Sequence, residues 1–388
     1  MSGNAQKPLR IAIVAGEHSG DQLGAELIRA LKHKTDKSIE LIGVGGHLME
    51  AEGLKSLFPL ADIAVMGFSA VVARLPKIIR LAYKLIDHIV RAKPDILIII
   101  DSPDFTHPVA KRVRRKLPDL PIIDYVSPSV WAWRSGRAKK MNAYVDHVLA
   151  ILPFEPDAYI RLAGPKCTYV GHPLVNKIER AKQALVATDG GGGKPLHLLV
   201  MPGSRNSEVS RLLEPFGQTV AQLKQSIPDL KVDIPAVPHL LERLKSETAD
   251  WAVKTNIVVG EAEKFATFER ADAALVASGT ATLELALWGV PMAVGYKLDP
   301  IARRLKWLGE VDSIVLPNLV LGKNVVPEFI DEDCTAEQLT NAVLPLLQAG
   351  SEKTVQLDGF AALQTLCSVA PKQPAELAAE LVCEHLPK

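Results

Sequence analysis

The chain has 388 residues, of which 48% are hydrophobic and 23% charged, and this composition is typical of a folded globular protein rather than a disordered one. Its 45 Lys and Arg residues nearly balance its 44 Asp and Glu residues, which argues against a dedicated nucleic-acid binder. The charge is uneven, with net +9 over residues 1–182 and net −8 over residues 183–388, so the first half is predicted to face an anionic partner.

Short aliphatic runs separated by amphipathic helical patterns recur along the chain. Such runs are typical of strands in parallel sheets that helices cover on both faces. The predicted strands are Ile11–Ala15, Ile39–Val44, Ile96–Ile100, Ile122–Val126, Val148–Leu152, Leu196–Met201, Val232–Ala236, Ile257–Val259, Ala274–Ala277 and Pro291–Gly295. The alternation is predicted to end after Pro327, with helices following at about 335–348, 353–368 and 374–386.

The alternation is interrupted once, where Gly171-His172-Pro173 precedes a polar helix and the four-glycine run 190–193. Such a run has little tendency to order and reads as a surface loop. We therefore predict an α/β fold with two Rossmann-like domains in tandem, residues 1–173 and 174–350. Residues 351–388 are predicted to form helices that pack back toward the first domain.

The first predicted strand leads through Gly16-Glu17-His18-Ser19-Gly20-Asp21 directly into a helix. Glycines at this place let a ligand approach the backbone, but Glu17 and Asp21 would repel a pyrophosphate, so a dinucleotide site is disfavoured. Ser19 as helix cap, with Asp21 in the first turn, is the alternative interpretation. Capping does not account for Glu17, which we predict to contact substrate.

The strand Ile96–Ile100 delivers Asp101 to its carboxyl end, the edge at which ligands of open parallel sheets bind. A carboxylate beside Ile100 and Phe105 is suited to act as a general base. A loop carboxylate that caps the next helix is the alternative, and it fits Asp104 better than Asp101.

Trp131 and Trp133 follow the next strand in the segment Ser127–Arg134, close to further basic residues. Two indoles beside Arg134 and Arg137 could form a wall for a sugar or acyl ligand and a seat for a phosphate. A packed aromatic corner and a solvated basic helix explain the same residues equally well.

Two glycine-containing turns in the second half also end strands and open helices. In the first, Gly203-Ser204-Arg205 combines backbone donors with a bidentate cation, which suits a pyrophosphate. In the second, amides at 279–282 could hold a diphosphate while Glu284 accepts both ribose hydroxyls. Helix capping accounts for Ser278 or Thr280 but leaves Glu284 unexplained in an apolar helix.

Residues 66–84 combine an apolar surface with basic residues at three- and four-residue intervals. This profile is typical of a helix at a membrane interface, although packing on the protein's own sheet is the ordinary alternative. The residues predicted to contact lipid are Val71, Val72, Arg74, Leu75, Lys77 and Arg80.

Four dispersed cysteines show no metal-ligand spacing, and no signal peptide opens the chain, so we expect ordinary thiols in a reducing cytoplasm. The longest apolar runs are much shorter than the ~20 residues of a membrane-spanning helix, so membrane contact is expected to be peripheral. The histidines form no HxxxH pair, and no metal site is predicted.

Eight segments occur in this order along the chain: Gly16-Glu17-x-Ser19-Gly20-Asp21, Ile100-Asp101-x-Pro103-Asp104-Phe105, Tyr125–Arg134, Leu152-Pro153-Phe154-Glu155, Val170-Gly171-His172-Pro173, Pro202-Gly203-Ser204-Arg205, Ser278-Gly279-Thr280-Ala281 and Leu316-Pro317-Asn318-Leu319. Taken together, they resemble the lipid-A-disaccharide synthase family of GT-B glycosyltransferases.

The resemblance implies an inverting, metal-independent and cofactor-free transfer of 2,3-diacylglucosamine from its UDP conjugate to 2,3-diacylglucosamine 1-phosphate, in lipid A biosynthesis. Asp101 would remove the proton from the acceptor 6-hydroxyl, and Glu17 would orient acceptor or base. The implied acceptor-binding residues are Ser19, Gly20, Asp21, Ser127, Trp131 and Arg134. The implied donor-binding residues are Gly203, Ser204, Arg205, Ser278, Gly279, Thr280, Ala281, Thr282, Glu284 and Asn318.

The expected location is the cytoplasmic face of the inner membrane, with peripheral contact to anionic lipid, no nucleic-acid partner and an open question of homodimer formation. Two other functions stay open. A UDP-sugar epimerase of the same form would need the donor loops but no acylated acceptor, and a non-catalytic nucleotide-sugar or lipid-binding protein would need neither Asp101 nor Glu17.

Overall fold

The computed structural model describes residues 8–64, 68–185, 195–298, 312–348 and 350–387, and side chains of the helix that begins at Phe68 are described from Arg74 onward. The predicted loop 190–193 and the side chains of Val71 and Val72 therefore lie outside the described residues. No helix within the described ranges is long and apolar enough to cross a membrane.

Strands and helices alternate along the described ranges. The strands are β1 Leu9–Ala15, β2 Ile39–Val44, β3 Ile96–Ile100, β4 Ile122–Tyr125, β5 His147–Ala150, β6 Lys166–Tyr169, β7 His197–Met201, β8 Lys231–Ala236, β9 Thr255–Val259, β10 Ala273–Ala277, β11 Met292–Tyr296 and β12 Glu328–Ile330. The helices are α1 His18–Lys34, α2 His47–Ala51, α3 Phe68–Ala92, α4 Pro103–Lys116, α5 Gly136–Met141, α6 Glu155–Arg161, α7 Pro173–Ala184, α8 Asn206–Ser226, α9 Leu241–Glu247, α10 Glu261–Arg270, α11 Thr280–Trp288, α12 Leu316–Leu321, α13 Ala336–Leu347, α14 Ser351–Cys367 and α15 Pro374–Glu384.

The chain forms two compact units, residues 1–173 with 369–388, and residues 174–368. In the first unit, the parallel sheet has the strand order β2-β1-β3-β4-β5-β6. The order reverses between β1 and β3, whose carboxyl ends pair at Ala15 and Ile100. Every residue of β3 is buried, because helices cover both faces of the sheet.

The second unit contains a parallel sheet in the order β12-β11-β10-β7-β8-β9, and its order reverses between β7 and β10. Open parallel sheets bind ligands outside the carboxyl ends of the strands at such a reversal. Each unit thus offers one place at which the topology favours a site. The two parallel sheets with flanking helices confirm the predicted α/β class.

The predicted C-terminal segment 351–388 is divided between the units. Helix α14 belongs to the second unit, where Gln356 exchanges hydrogen bonds of 2.8 and 2.9 Å with the backbone N–H and C=O of Met292 in β11. Helix α15 belongs to the first unit, where buried Ala378 and Val382 share a core cluster with Leu27 of α1.

All ten predicted strands are present; β2 and β3 have the predicted bounds, and the ends of the others are shifted by one or two residues. Two further strands, β6 and β12, were missed, so the prediction that strands end after Pro327 was wrong. Both missed strands lie at sheet edges, and neither contains a fully buried residue. An edge strand buries less surface and needs fewer aliphatic residues, which removes the signal that marks a central strand.

Candidate active site

Asp101 lies at the carboxyl end of β3, directly at the reversal point of the first sheet. Its φ is +53°, that of Ser102 is +47°, and that of Val126, at the end of the neighbouring strand, is +77°. A left-handed conformation costs a residue with a Cβ roughly 1–2 kcal/mol. Such strain persists where the surrounding structure imposes it, and it concentrates at functional sites.

Two hydrogen bonds hold the Asp101 carboxylate. The Ser102 backbone N–H donates to Oδ1 at 2.7 Å, and the Ser19 hydroxyl donates to Oδ2 at 2.9 Å. A Cβ on Gly16 would overlap the Ser102 side chain, so glycine there lets the loops after β1 and β3 touch. Glu17 is exposed at the same edge as the N-cap residue of α1. The structure therefore brings together Ser19 and Asp101, which the sequence singled out separately.

Asp21 does not contact ligand as predicted, because its side chain is only 1% exposed. Its carboxylate accepts hydrogen bonds from the backbone N–H groups of Gly46, Leu48 and Met49, at 2.7, 3.1 and 3.1 Å. Asp21 thus caps α2. Gly20 is also buried, and a Cβ there would press on the Ile100 carbonyl oxygen at 3.2 Å, so this glycine serves packing of α1 on the sheet.

Ser127 and Trp131, both predicted to bind acceptor, turn inward to a buried carboxyl group that the sequence did not single out. Glu155 accepts hydrogen bonds from the Trp131 indole N–H at 3.1 Å and from the Leu152 backbone N–H at 2.9 Å. The Ser127 hydroxyl is buried and contacts the Tyr159 hydroxyl at 3.1 Å. Burial raises the pKa of Glu155 to about 7, although these hydrogen bonds oppose the rise. Ser127 and Trp131 therefore shape the loop after β4 from within.

Helix α3 carries an exposed apolar row, Leu75, Ile79 and Tyr83, at intervals of four residues. Basic residues flank this row, and Arg74 and Arg80 are exposed. Lys77 is partly engaged, since its Nζ lies 2.6 Å from Asp62 Oδ1. The opposite face of α3, including Leu85 and Ile89, packs into the core of the unit.

In the second unit, the two predicted glycine turns line one cavity of about 530 Å³ at the reversal point of the sheet. The lining includes every predicted donor residue of both turns except Thr282. These are Gly203, Ser204, Arg205, Ser278, Gly279, Thr280, Ala281 and Glu284. The structure thus groups in one place what the sequence offered as two separate motifs.

The backbone donors of the first turn are already used, contrary to the prediction that they hold a diphosphate. The N–H groups of Ser204 and Arg205 donate to Glu208 Oε2 at 3.0 and 3.2 Å. Arg205 Nη1 also donates to Glu208 Oε1 at 2.9 Å, while most of the guanidinium stays exposed. Gly203 has φ +109°, and a Cβ there would overlap Glu208. What this turn offers to a ligand is therefore its exposed side chains, the Arg205 guanidinium and the Ser204 hydroxyl, which both line the cavity.

In the second turn, some polar groups form internal hydrogen bonds and others face the cavity. The Ser278 hydroxyl donates to the Ile314 carbonyl at 2.6 Å, and buried Thr282 directs both its N–H and its hydroxyl to the Gly279 carbonyl. Both hydroxyls therefore donate to backbone carbonyls; Ser278 still lines the cavity, whereas buried Thr282 does not. Thr280 and Ala281 open α11, and N–H groups in the first turn of a helix have no intrahelical acceptor. Both residues line the cavity, and free amides at a helix N-terminus suit an anion.

Glu284 has a partner that sequence reasoning missed. Lys264 on α10 places Nζ 2.9 Å from Oε1 and 3.1 Å from Oε2, and both side chains are largely buried at the cavity wall. The Lys264 ammonium also lies 4.9 Å from the ring centroid of Phe265. No local pattern marked Lys264, because it reaches Glu284 from a helix twenty residues earlier.

Asn318 does not assist the donor as predicted. It is 2% exposed, its Oδ1 accepts from the N–H groups of Val325 and Val326 at 2.9 Å each, and its Nδ2 donates to the Val326 carbonyl. These three hydrogen bonds hold the Asn318 side chain against the turn after α12. Among the described residues, no group of three or more His, Cys, Asp or Glu side chains is arranged to hold a metal ion.

Comparison with known proteins gives a consistent result. A family model described as lipid-A-disaccharide synthetase matches residues 11–382. The lipid-A-disaccharide synthase of Nitrobacter winogradskyi is 48% identical over 387 residues, covering 99% of this chain and 97% of that protein. The corresponding synthase of Rhodopseudomonas palustris is 47% identical and covers 99% of both chains.

Solved structures with the same fold are much more distant in sequence. The UDP-GlcNAc 2-epimerase of Neisseria meningitidis bound to UDP-GlcNAc has a TM-score of 0.60 at 11% identity and covers 97% of this chain and 99% of its own. MurG of Acinetobacter baumannii has a TM-score of 0.57 at 13% identity, with coverage of 97% and 100%. These similarities establish the architecture alone.

Proposed function

The chain belongs to the lipid-A-disaccharide synthase family, and we propose that it transfers 2,3-diacylglucosamine from UDP-2,3-diacylglucosamine to 2,3-diacylglucosamine 1-phosphate. The products are UDP and the β-1,6-linked disaccharide 1-phosphate. The observation that carries this proposal is the fixed Asp101 carboxylate, held by Ser19 and the Ser102 amide on a strained turn at the reversal point of the first sheet.

In the proposed reaction, Asp101 accepts the proton of the acceptor 6-hydroxyl as that oxygen attacks the anomeric carbon of the donor. The bond between the anomeric carbon and the diphosphate oxygen breaks, UDP leaves with the electron pair, and the configuration inverts. The two bonds from Ser102 and Ser19 aim the carboxylate before substrate arrives, so little reorganisation accompanies proton transfer. Glu17, exposed at the same edge, would orient the acceptor.

We assign donor binding to the cavity of about 530 Å³ in the second unit. Arg205 and the first amides of α11 would balance the charge that develops on the departing diphosphate. Glu284 would accept the two ribose hydroxyls, since each of its oxygens keeps a lone pair beyond the one that faces Lys264. The net negative charge of this half does not oppose binding, because the local groups are cationic or dipolar.

We also propose peripheral contact of α3 with anionic lipid on the cytoplasmic face of the inner membrane. The exposed row Leu75, Ile79 and Tyr83, flanked by Arg74 and Arg80, combines the apolar area and positive charge that interfacial helices use. The acyl chains of both substrates need such a surface. Homodimer formation stays a prediction, which analytical ultracentrifugation would check.

Mass spectrometry of the products tests the proposed function. The purified chain is incubated with UDP-2,3-diacylglucosamine, with and without 2,3-diacylglucosamine 1-phosphate. A disaccharide 1-phosphate and an equal amount of UDP, formed only with the acceptor, are expected. Conversion of the donor to an epimer without acceptor would instead identify an epimerase, and binding without any product would identify a non-catalytic protein.

A further inference from the structure

Of the two tryptophans after β4, Trp133 is the one that presents its ring to solvent. It is 51% exposed, whereas the Trp131 indole N–H is bonded to Glu155 and its ring packs edge-on against Phe154 at 5.0 Å. The Arg134 guanidinium carbon lies 4.1 Å from the Trp133 ring centroid. Trp133 and Arg134 thus form a flat, exposed surface of an aromatic ring and a cation.

The backbone holds Arg134 in this position at a cost. Its φ is +54°, in the left-handed region that a residue with a Cβ seldom adopts. The next turn, at the start of α5, brings Arg137 to the same place. Both guanidinium groups converge on one carboxylate, since Arg137 Nη2 lies 3.0 Å and Arg134 Nη1 4.0 Å from Asp104 Oδ1.

Asp104 is a weak partner for these arginines, because its side chain is 81% exposed and surface ion pairs contribute little stability. A guanidinium group binds a carboxylate and a phosphate with the same planar arrangement of donors. A phosphate monoester carries more charge and one more oxygen than the carboxylate. It can therefore take the place of Asp104 on the two arginines.

The position of Asp104 relative to Asp101 fits one substrate geometry. Two residues separate them in the sequence: Asp101 directly follows β3, and Asp104 lies in the first turn of α4, so both carboxylates belong to the same strand-to-helix connection. In a pyranose, C1 and C5, the carbon that carries the 6-hydroxymethyl group, are both bonded to the ring oxygen. A sugar that offers its 6-hydroxyl to Asp101 therefore carries its C1 substituent on the same edge of the ring, near the connection that Asp101 and Asp104 share and the arginines that face it.

We propose that Arg134 and Arg137 bind the 1-phosphate of the acceptor sugar, and that Trp133 is the surface on which its pyranose ring stacks. This inference rests on the proposed function, because it takes Asp101 as the base. It explains why the enzyme would select a phosphorylated acceptor. It also gives the basic excess of the first half a local role besides contact with lipid.

The test compares two acceptors, 2,3-diacylglucosamine 1-phosphate and the same sugar without phosphate. For the wild type, Arg134→Met, Arg137→Met and the control Arg115→Met, the ratio of kcat/KM for the two acceptors is measured. Each of the first two variants should lose about tenfold or more of the preference for the phosphorylated acceptor, since it loses a charge-assisted hydrogen bond to the phosphate. The loss should come from the acceptor KM, with the donor KM unchanged.

Arg115 is exposed on the last turn of α4, so its variant should keep the wild-type ratio. Trp133→Ala should raise the KM of both acceptors equally and leave the ratio intact, and Trp133→Phe should restore most of the loss. Unchanged ratios in both arginine variants would overturn the phosphate assignment, and an unchanged KM in Trp133→Ala would overturn the stacking surface.

If the wild type forms no disaccharide from either acceptor, the proposed function fails, and the site is judged by binding alone. Calorimetry with glucosamine 1-phosphate then decides: weaker binding to the arginine variants than to Arg115→Met supports the phosphate site, and equal binding overturns it. Should a methionine variant fail to fold, Arg134→Lys and Arg137→Lys keep the charge but lose the planar fork, and the same ratio is measured with them.

Discussion

Asp101 is the residue on which the proposed chemistry depends. Replacing Asp101 with Asn keeps the shape and the bond from Ser102 but removes the proton acceptor, so kcat should fall by about 10²–10⁴-fold. UDP affinity should stay unchanged, because UDP is assigned to the other unit. Ser19→Ala should lower kcat by a smaller factor without a change in either KM, since Ser19 only orients the carboxylate.

Single-turnover kinetics and UDP titration measure these effects, with Ser38→Ala, remote from Asp101, as the control for Ser19→Ala. Substantial residual turnover by the Asp101→Asn variant would remove this residue as the base.

The pair Lys264 and Glu284 should act as a unit in donor binding. Glu284→Gln removes the charge that Lys264 balances, and Lys264→Met leaves Glu284 unpaired near the diphosphate, so each variant should raise the donor KM about tenfold or more. The double variant should be no worse than the poorer single variant, because both changes disrupt one interaction. Initial rates at varied donor concentration give the donor KM of the wild type, both single variants and the double variant, which together form a double-mutant cycle.

The control for this cycle is Lys245→Met, whose ammonium pairs with Glu242 on the exposed face of α9. Additive losses in the double variant would show that Lys264 acts independently of Glu284, for example directly on the diphosphate.

At the scale of residues, the sequence predicted positions better than partners. The motifs indicated the positions of Asp101, Ser19, Arg205 and Glu284 in the fold. The side chains of Asp21 and Asn318, in contrast, form hydrogen bonds with backbone groups of other residues in the chain. Short polar side chains can bond a ligand or a nearby turn, and sequence alone does not decide between the two. The amides that Asp21 binds lie 25 or more residues away, so no local pattern could have revealed them.

Among the secondary-structure elements, helix α3 allows a direct test of the proposed lipid contact. Replacing Leu75 and Ile79 together with Ser should reduce association with vesicles that contain anionic lipid, because both side chains are exposed and their loss removes apolar area without opening the core. A flotation assay measures the bound fraction, and Val355→Ser, at an exposed apolar site in the second unit, is the control. Equal flotation of all variants would contradict the lipid contact of α3.

Sequence patterns predict central strands better than edge strands. The central strand β3 is aliphatic throughout because both its faces are covered, and its bounds were predicted correctly. Lys166–Tyr169 and Glu328–Ile330 form edge strands whose residues are polar or half-exposed, so composition gave no signal. These segments become strands because each pairs with a neighbouring strand, β5 or β11. The local sequence does not reveal that partner.

At the scale of the whole molecule, buried ionisable groups of the first unit set the dependence of its stability on pH. Burial lowers the pKa of His147 and of His172 to about 4, so the stability linked to them is complete above pH 6.5 and is lost as pH falls toward 4. Burial raises the pKa of Glu155 to about 7, so its contribution is complete below pH 4.5 and is lost as pH rises toward 7.

Burial also raises the pKa of Asp124, which therefore opposes the histidines in the same direction as Glu155. Glu155→Gln isolates one of these contributions: the variant should gain stability relative to the wild type as pH increases from 5 to 8. Urea denaturation at several pH values measures this difference, with exposed Glu50→Gln as the control. A difference that does not change with pH would contradict the neutral state of buried Glu155.

The place of α15 in the first unit has a consequence for biosynthesis. Its apolar residues, including Ala378 and Val382, cover α1 but are translated about 200 residues after the rest of that unit. At a typical elongation rate of about 5–20 residues per second, the ribosome needs roughly 10–40 s for this stretch. During that interval the second unit can fold while the face of α1 stays uncovered, and it is then a surface that a chaperone can recognise.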